Sequence, residues 1–373
     1  MDQETYAEQI RMCAACPKMC RHVCPTFLAW RSDAPTPHGR AMLLHYAEVG
    51  TRDLDERAIE VLYQCLQCSH CLTWCVPEID IASIVELARQ RIAAEGKAPE
   101  GLGNVTKSVT QNHNPFGEAH EARLSWVPEG KANSGRIIFF VGCTASYREQ
   151  GIARDTVELL TALGTEVTVL DDEWCCGSPL FRTGFVDDAL SQAKHNVEVL
   201  NSLDADEIVT TCPGCYRALV KDYPDHGIQL NKPVRHISQV LAGAVPSSST
   251  PRGTRTVTFH DPCHLGRHTG EYDAPRDVIL KASGQRPVEM LRNRENATCC
   301  GNGAGLRALF PEHAKMIGHS RIDDAKEIGA DTIITSCPFC KDMLEQQSDE
   351  SVEVLDLATF VLRMMKGRDT KGD

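Results

Sequence analysis

A pattern of five cysteines occurs twice in this chain and constrains its fold more than any other feature. The first copy is Cys143, the adjacent pair Cys175–Cys176, and Cys212 with Cys215. The second is Cys263, the adjacent pair Cys299–Cys300, and Cys337 with Cys340. Corresponding residues lie 120, 124 and 125 positions apart, so the register hardly drifts across the unit. The flanks repeat too, TTCPGCYRAL against TSCPFCKDML. Two copies of one pattern require two copies of one local fold.

Short β-branched runs alternate with helical patterns through both copies. RIIFFVG, EVTVLD and DEIVTTC read as strands. Between them lie a helix carrying Ile152, Val157, Leu160 and Leu163 up to Gly164, and a second helix over residues 186–201. AGAVPSSSTPRG (242–253) has linker composition. The series then restarts with TVTFHD, a helix from about 275, VEML, a helix over 312–328, and TIITSC. Alternating strands and helices predict an α/β fold, two duplicated units at 136–245 and 246–373 with largely parallel sheets. Sites in such sheets form at the C-terminal strand ends, where FFVGC, VTTC, FHDPC and IITSC place their cysteines.

The other eight cysteines fall within residues 1–100, a mainly helical segment with patterns at GRAMLLHYAEV (39–49) and IASIVELARQRIAAEG (81–96). CLQCSHCLTWCVP (65–77) has the C-x2-C-x2-C-x3-C spacing of a [4Fe–4S] ferredoxin loop. CAACPKMCRHVCP (13–25) carries it with one extra residue between Cys16 and Cys20. Three thiolates must converge on one cube, and in two-cluster ferredoxins the fourth cysteine of each run serves the other cluster. That groups Cys13, Cys16, Cys20 and Cys75 in one site, and Cys65, Cys68, Cys71 and Cys24 in the other. Zinc also takes C-x2-C pairs, but two four-membered runs, each followed closely by proline, favour iron–sulfur. Trp74 is expected to shield a cluster from water. A connector at 101–135 contains HNPFGE, a turn signal, and His113 is expected in an ordered loop packed on a neighbour.

Lys+Arg 39 against Asp+Glu 51 leaves a net charge of −12. That balance disfavours nucleic acid and a polybasic membrane patch. The opening MDQETYAEQIRMC lacks a signal-peptide pattern, and apolar stretches such as IIFFV are too short to span a bilayer. A cytoplasmic protein is expected, peripheral at the membrane only through a partner. Eighteen cysteines in such a chain point to metal or redox work rather than disulfides.

Neighbouring residues of an extended segment point to opposite faces. Two vicinal thiolates therefore sit badly on one small ion, and a vicinal disulfide would be strained. Five ligands, two of them diverging, suit a larger iron–sulfur assembly with iron on both sides of the pair. The glycine after each pair allows close backbone approach. Iron in both units, or zinc with a spare thiol in one, both stay open. GNGAG (301–305) lacks the full dinucleotide-loop form and sits on a cysteine motif.

CX31CCX35CXXC and CX35CCX36CXXC resemble the CCG domains of the heterodisulfide reductase B/D family. That family's relatives include the iron–sulfur subunits of glycolate, lactate and anaerobic glycerol-3-phosphate oxidoreductases. VGCTASYR, CCGSPLFRTG, CPGCYR, FHDPCHLGRH, YDAPR, CCGNGAG and CPFC carry the resemblance over nearly the whole chain. A two-cluster ferredoxin fused to two CCG domains is similar to the fused, D-type arrangement. The resemblance implies two cubane [4Fe–4S] clusters and two noncubane [4Fe–4S] clusters. The noncubane ligands would be Cys143, Cys175, Cys176, Cys212 and Cys215, then Cys263, Cys299, Cys300, Cys337 and Cys340. It implies an oxidoreductase in which the cubanes feed two clusters facing one cavity, where a disulfide is reduced or thiols are oxidised.

The alternative is an electron-transfer subunit linking a flavoprotein to quinone or to a membrane cytochrome b. Either version requires partner subunits. His260 and His264, gathered with Arg267 and His268 around Cys263, are the candidate catalytic residues, tuning the cluster or giving a proton to a departing thiolate. The other reading has Asp261 capping a turn and the histidines bonding backbone. His236 is expected in the core or beside a cluster.

Overall fold

Runs of Ile, Val, Phe and Thr become strands here because helices cover both sheet faces, so the runs are continuously apolar rather than alternating. The computed structural model describes residues 2–127, 135–249 and 255–367. The first unit contains β1 (Ile137–Phe140), β2 (Val167–Val169), β3 (Glu207–Thr210) and β4 (Val234–His236), in the order β2-β1-β3-β4. The second contains β5 (Val257–His260), β6 (Thr332–Thr335) and β7 (Glu353–Asp356), in the order β5-β6-β7. Every pairing is parallel, as the α/β reading expects. Ile137 lies opposite both Val167 and Glu207, and Thr332 opposite both Val257 and Glu353.

The duplication is imperfect at one strand. VEML runs extended but joins no sheet. Pro287 before it has no N–H to donate, and one ladder bond survives, Val288 N–H to the Val257 carbonyl at 2.8 Å. Val288 and Leu291 are 45% and 88% exposed, so nothing covers this edge. The linker expected at 242–253 begins inside the helix Ile237–Ala244, and its residues 250–253 lie outside the described ones.

The two units share one core. Phe139, Val209, Ile237 and Leu241 from the first lie in the same buried cluster as Phe259, Ile279, Ile334, Leu357 and Val361 from the second. Helix Gln150–Ala162 packs on Leu357–Met365, and Ile237–Ala244 packs on Asp273–Ser283. Each such side chain contributes about 1.5–3 kcal/mol on burial, so either unit alone would expose much of its stabilising surface.

The N-terminal domain is helical, with Gln3–Ala14, Pro37–Glu48, Glu56–Tyr63 and Ile81–Ala94 packed around Tyr6, Ile10, Leu44, Leu62, Ile84 and Val85. Each helix starts on a side-chain cap: Asp2, Thr36, Asp55 and Asp80 accept from the N–H of Thr5, Gly39, Ala58 and Ser83. Apart from Cys13, in the last turn of Gln3–Ala14, the cysteines of both runs lie in the segments between these helices.

Asp356 ends β7 and caps the helix Leu357–Met365, its Oδ1 accepting from Ala358 N–H at 2.8 Å. Its Oδ2 is buried without a hydrogen-bond partner. Burial pushes this carboxyl up to about 7. A carboxyl raised in the folded state stabilises the fold while protonated, and that contribution is lost as pH climbs from the ordinary carboxylate value through 7. Asp356→Asn keeps the cap and removes the titration. Relative to wild type, the variant is expected to gain at most about 3 kcal/mol between roughly pH 5 and pH 8. Urea denaturation at the two pH values measures it, and a wild-type-minus-variant difference independent of pH would contradict it.

Candidate metal centres

Cys13 sits near the end of the helix Gln3–Ala14, and Cys20 and Cys24 flank the short turn Arg21–Val23. The extra residue in this run is absorbed at Lys18, which is left-handed with φ 69°. Burial pushes the Cys13 thiol up to about 12, with Cys20, Cys16 and Cys75 adding like charge. Burial likewise raises Cys20 to about 12, with Cys24 and Cys75 contributing. Cys71 is raised well above a free thiol by burial and then by Cys20, Cys68, Cys65 and Cys24. Cys75 thus acts on Cys13 and Cys20, while Cys20 and Cys24 both act on Cys71, so the two runs lie within reach of each other's charge.

In each CCG unit the adjacent cysteines divide their neighbours. Cys143 raises the Cys175 thiol, and Cys215 lowers Cys176. In the second unit Cys263 raises Cys299, and Cys340 lowers Cys300. Hydrogen bonds from Cys175 and Cys215 pull the Cys176 thiol down to about 5. Those from Cys299 and Cys340 pull Cys300 well below an ordinary thiol, and those from Cys215 and Cys337 do the same for Cys212. A low thiol is a thiolate, the form that binds metal. None of the eighteen cysteines is in a disulfide. Thiolates in contact inside a core require positive charge between them, and iron–sulfur clusters supply it, so the donor set fits them.

Two sulfur contacts connect these groups. Across the joint between the CCG units, Cys337 lowers the Cys212 thiol. Cys68, from the second N-terminal run, shares a buried cluster with Cys299, which holds the Cys68 thiol down to about 6.

The histidines take different places. His260 is 1% exposed. Arg321 Nε donates to its Nδ1 at 3.2 Å, which leaves the ring hydrogen on Nε2, beside Cys300. His260, Cys300 and Cys340 bring their ligand atoms within 4.8 Å of one another. His264 is half-buried at the joint, 3.8 Å from the Cβ position of Gly214 in the Cys212–Cys215 turn. Burial, with Arg217 and Arg182 nearby, holds its pKa well below the usual imidazole value. His268 bonds the Gln67 carbonyl at 2.9 Å, and His236 is buried against the Thr211 carbonyl at 3.2 Å. Asp261 makes a forked pair with Arg276 at 2.7 and 2.9 Å and accepts from Arg294 N–H.

Trp74 departs from expectation. It is 46% exposed, stands edge-on to His22 and donates from Nε1 to Asn296 Oδ1 at 2.9 Å, so it bridges to the second unit instead of covering cysteines. His113 behaves as expected, stacking on Trp174 at 3.6 Å while its carbonyl accepts from Cys175 N–H. Glu173 is an addition. Fully buried beside Cys176, its carboxylate accepts from Val141 and Gly142 N–H at 2.8 Å each, 3.7 Å from Arg123. Its one signal in the sequence is an acid just ahead of the cysteine pair, where the second unit has Ala297.

Duplicated parallel units with five thiols apiece at their strand ends, joined to eight more thiols on a helical domain, define a multi-centre iron–sulfur protein. Residues 137–220 and 257–345 match the CCG cysteine-rich domain, and residues 9–79 match the 4Fe-4S dicluster domain. The D component of the dihydromethanophenazine:CoB–CoM heterodisulfide reductase of Methanosarcina barkeri is 37% identical over 371 residues, spanning 91% of this chain and 90% of its own. The chain belongs to the D-type heterodisulfide reductase family. The EtfAB:quinone oxidoreductase of Syntrophomonas wolfei is 30% identical over 338 residues, 82% of this chain and 47% of its own. A hypothetical protein of Helicobacter pylori, at 10% identity, shares the fold with a TM-score of 0.57 over 88% of this chain and 68% of its own. No helix among the described residues is long and apolar enough to cross a membrane.

Gly301 closes the second CCG motif with φ 92°, and a Cβ there would lie 2.4 Å from the Ala314 carbonyl oxygen. Gly329 has φ 69° with open space around it. Gly301→Ala is expected to cost about 3 kcal/mol or more, from strain and overlap together, and Gly329→Ala about 1 kcal/mol. Denaturation midpoints compare them, and equal losses would contradict the close approach at Gly301.

Proposed function

We propose that this chain is the iron–sulfur subunit of a heterodisulfide-reductase-type oxidoreductase. Electrons from the N-terminal domain reach the joint between the CCG units, where a disulfide takes up two electrons and two protons to give two thiols, or the reverse. The observation that carries this reading is the line of sulfur contacts, Cys68 with Cys299 and Cys337 with Cys212, running from the N-terminal domain through the second unit into the first. In this reading the clusters supply one-electron storage, two cubanes on the N-terminal cysteines and one noncubane cluster in each CCG unit.

The chain's own residues do the remaining work. The ten CCG cysteines are ligands, not nucleophiles. His260, oriented by Arg321, holds its ring close to Cys300 and Cys340 and so positions ligands rather than meeting substrate. His264, kept neutral at the joint, offers a hydrogen bond to a bound sulfur rather than a charge. The partners in this reading are a flavoprotein, a membrane cytochrome b, or both, with the chain peripheral on the cytoplasmic side. A second reading, a conduit to quinone without its own substrate, draws on the name of the Syntrophomonas relative.

Anaerobically purified protein is expected to contain roughly sixteen irons, with matching sulfide, per chain; zinc without sulfide would sink the redox reading. Thiols or disulfides are expected to change the EPR spectrum of the oxidised protein, and a spectrum indifferent to all of them would select the conduit. Cys176→Ala should remove one noncubane signal while the ferredoxin-type signals persist, and an unchanged spectrum would refute the ligand assignment.

A further inference from the structure

Arg267 occupies the contact between the N-terminal domain and the second CCG unit. Its Nε donates to the Cys68 carbonyl at 2.5 Å, and its Nη1 donates to the carbonyls of Ala297 at 2.7 Å and Glu295 at 3.0 Å. The guanidinium therefore ties the second ferredoxin-type run to the loop that leads into Cys299. Neighbouring bonds join the same two segments: His268 to the Gln67 carbonyl, Trp74 to Asn296, and Thr73 to the Glu295 carbonyl. Those bonds are neutral. Arg267 brings a charge to this contact, as Arg89 does where its guanidinium donates to the Cys65 and Ala304 carbonyls, and among the described residues no carboxylate forms an ion pair with Arg267. Its Nη2 is buried without a hydrogen-bond partner. Burial opposes its charge, and the sulfurs of Cys68, Cys263 and Cys299 favour it.

A half-buried cation that spends three hydrogen bonds on carbonyls and leaves its buried Nη2 unpartnered is not explained by docking. Docking is already served by the neutral bonds, and a partly desolvated charge without a counter-ion is costly. A cation beside sulfur ligands favours the state that carries more negative charge, which is the reduced one. The geometry points to Arg267 as the positioning residue of the electron-input junction. It fixes Cys68 against Cys299 and raises the reduction potential of the second CCG centre, so that this centre accepts the electron leaving the N-terminal domain before the first CCG centre does. The step moves one electron, with no bond or proton exchanged. The proposal rests on the reading of the cysteine groups as iron–sulfur clusters.

The test is an EPR-monitored redox titration of the holoprotein, comparing wild type with Arg267→Gln, Arg267→Lys and Trp74→Phe. The Cys176→Ala variant distinguishes the two CCG signals. Arg267→Gln is expected to shift the potential of the second CCG signal downward while the first stays in place. Arg267→Lys keeps a charge and should shift it less. Trp74→Phe removes a neutral bond from the same contact and should leave it unmoved. Unchanged second-unit potentials in both Arg267 variants would overturn the proposal and leave the cluster reading intact, and so would an equal shift in Trp74→Phe. If Arg267→Gln fails to load iron, Arg267→Lys and Trp74→Phe still decide the point. A wild-type spectrum without any CCG signal would overturn the cluster reading itself, and this proposal with it.

Discussion

Thiolates held in contact inside an apolar core repel one another, and the rest of this structure is arranged around that repulsion. Burial pushes Cys13, Cys20 and Cys71 toward the thiol, whereas networks of S–H donors pull Cys176, Cys212 and Cys300 toward the thiolate. Neither state is comfortable without a cation between the sulfurs. The polypeptide sets the positions, and the metal group that the thiols invite supplies the missing charge. The shared hydrophobic core serves the same end, because it presses the two CCG units together until Cys212 and Cys337 meet.

The duplicated units differ where they meet their sulfurs. Cys176 lies beside Glu173, a buried carboxylate held by two backbone N–H groups and Arg123. Cys300 lies beside His260, backed by the buried Arg321. Cys299 has Arg267 nearby, a second cation on that side. The two pockets thus differ in the ionisable groups beside their cysteine pairs, a carboxyl paired with Arg123 in one and a histidine backed by Arg321 in the other. Cys299 of the second unit shares a buried cluster with Cys68 of the N-terminal domain.

Much of the fold could be read from local pattern. The helices Pro37–Glu48, Ile81–Ala94, Gln150–Ala162, Val186–Ser202 and Pro311–Glu327 lie where apolar spacing puts them, within about two residues. Strands β1, β2, β3, β5 and β6 coincide with the β-branched runs. VEML misled because Pro287 and an uncovered edge outweigh the similarity of its composition to EVTVLD. β4 and β7 were not read from the pattern; each pairs along the free edge that β3 or β6 offers. The diverging partners of each cysteine pair followed from strand geometry, since adjacent side chains must point apart.

The sequence by itself determined the inventory: eighteen thiols in two ferredoxin-type runs and two five-cysteine units, on alternating strands and helices that must form parallel sheets. Those conclusions rest on spacing along the chain, and spacing acts locally. Which sulfur faces which across the units was decided only by tertiary structure. Cys68 and Cys299 are 231 residues apart, Cys212 and Cys337 are 125 apart, and Arg267 reaches Cys68 across 199. No local pattern encodes those distances. They arise when the helical domain docks on the loop before Cys299 and the two sheets bury a common core, which brings separate sulfur sites into one connected line.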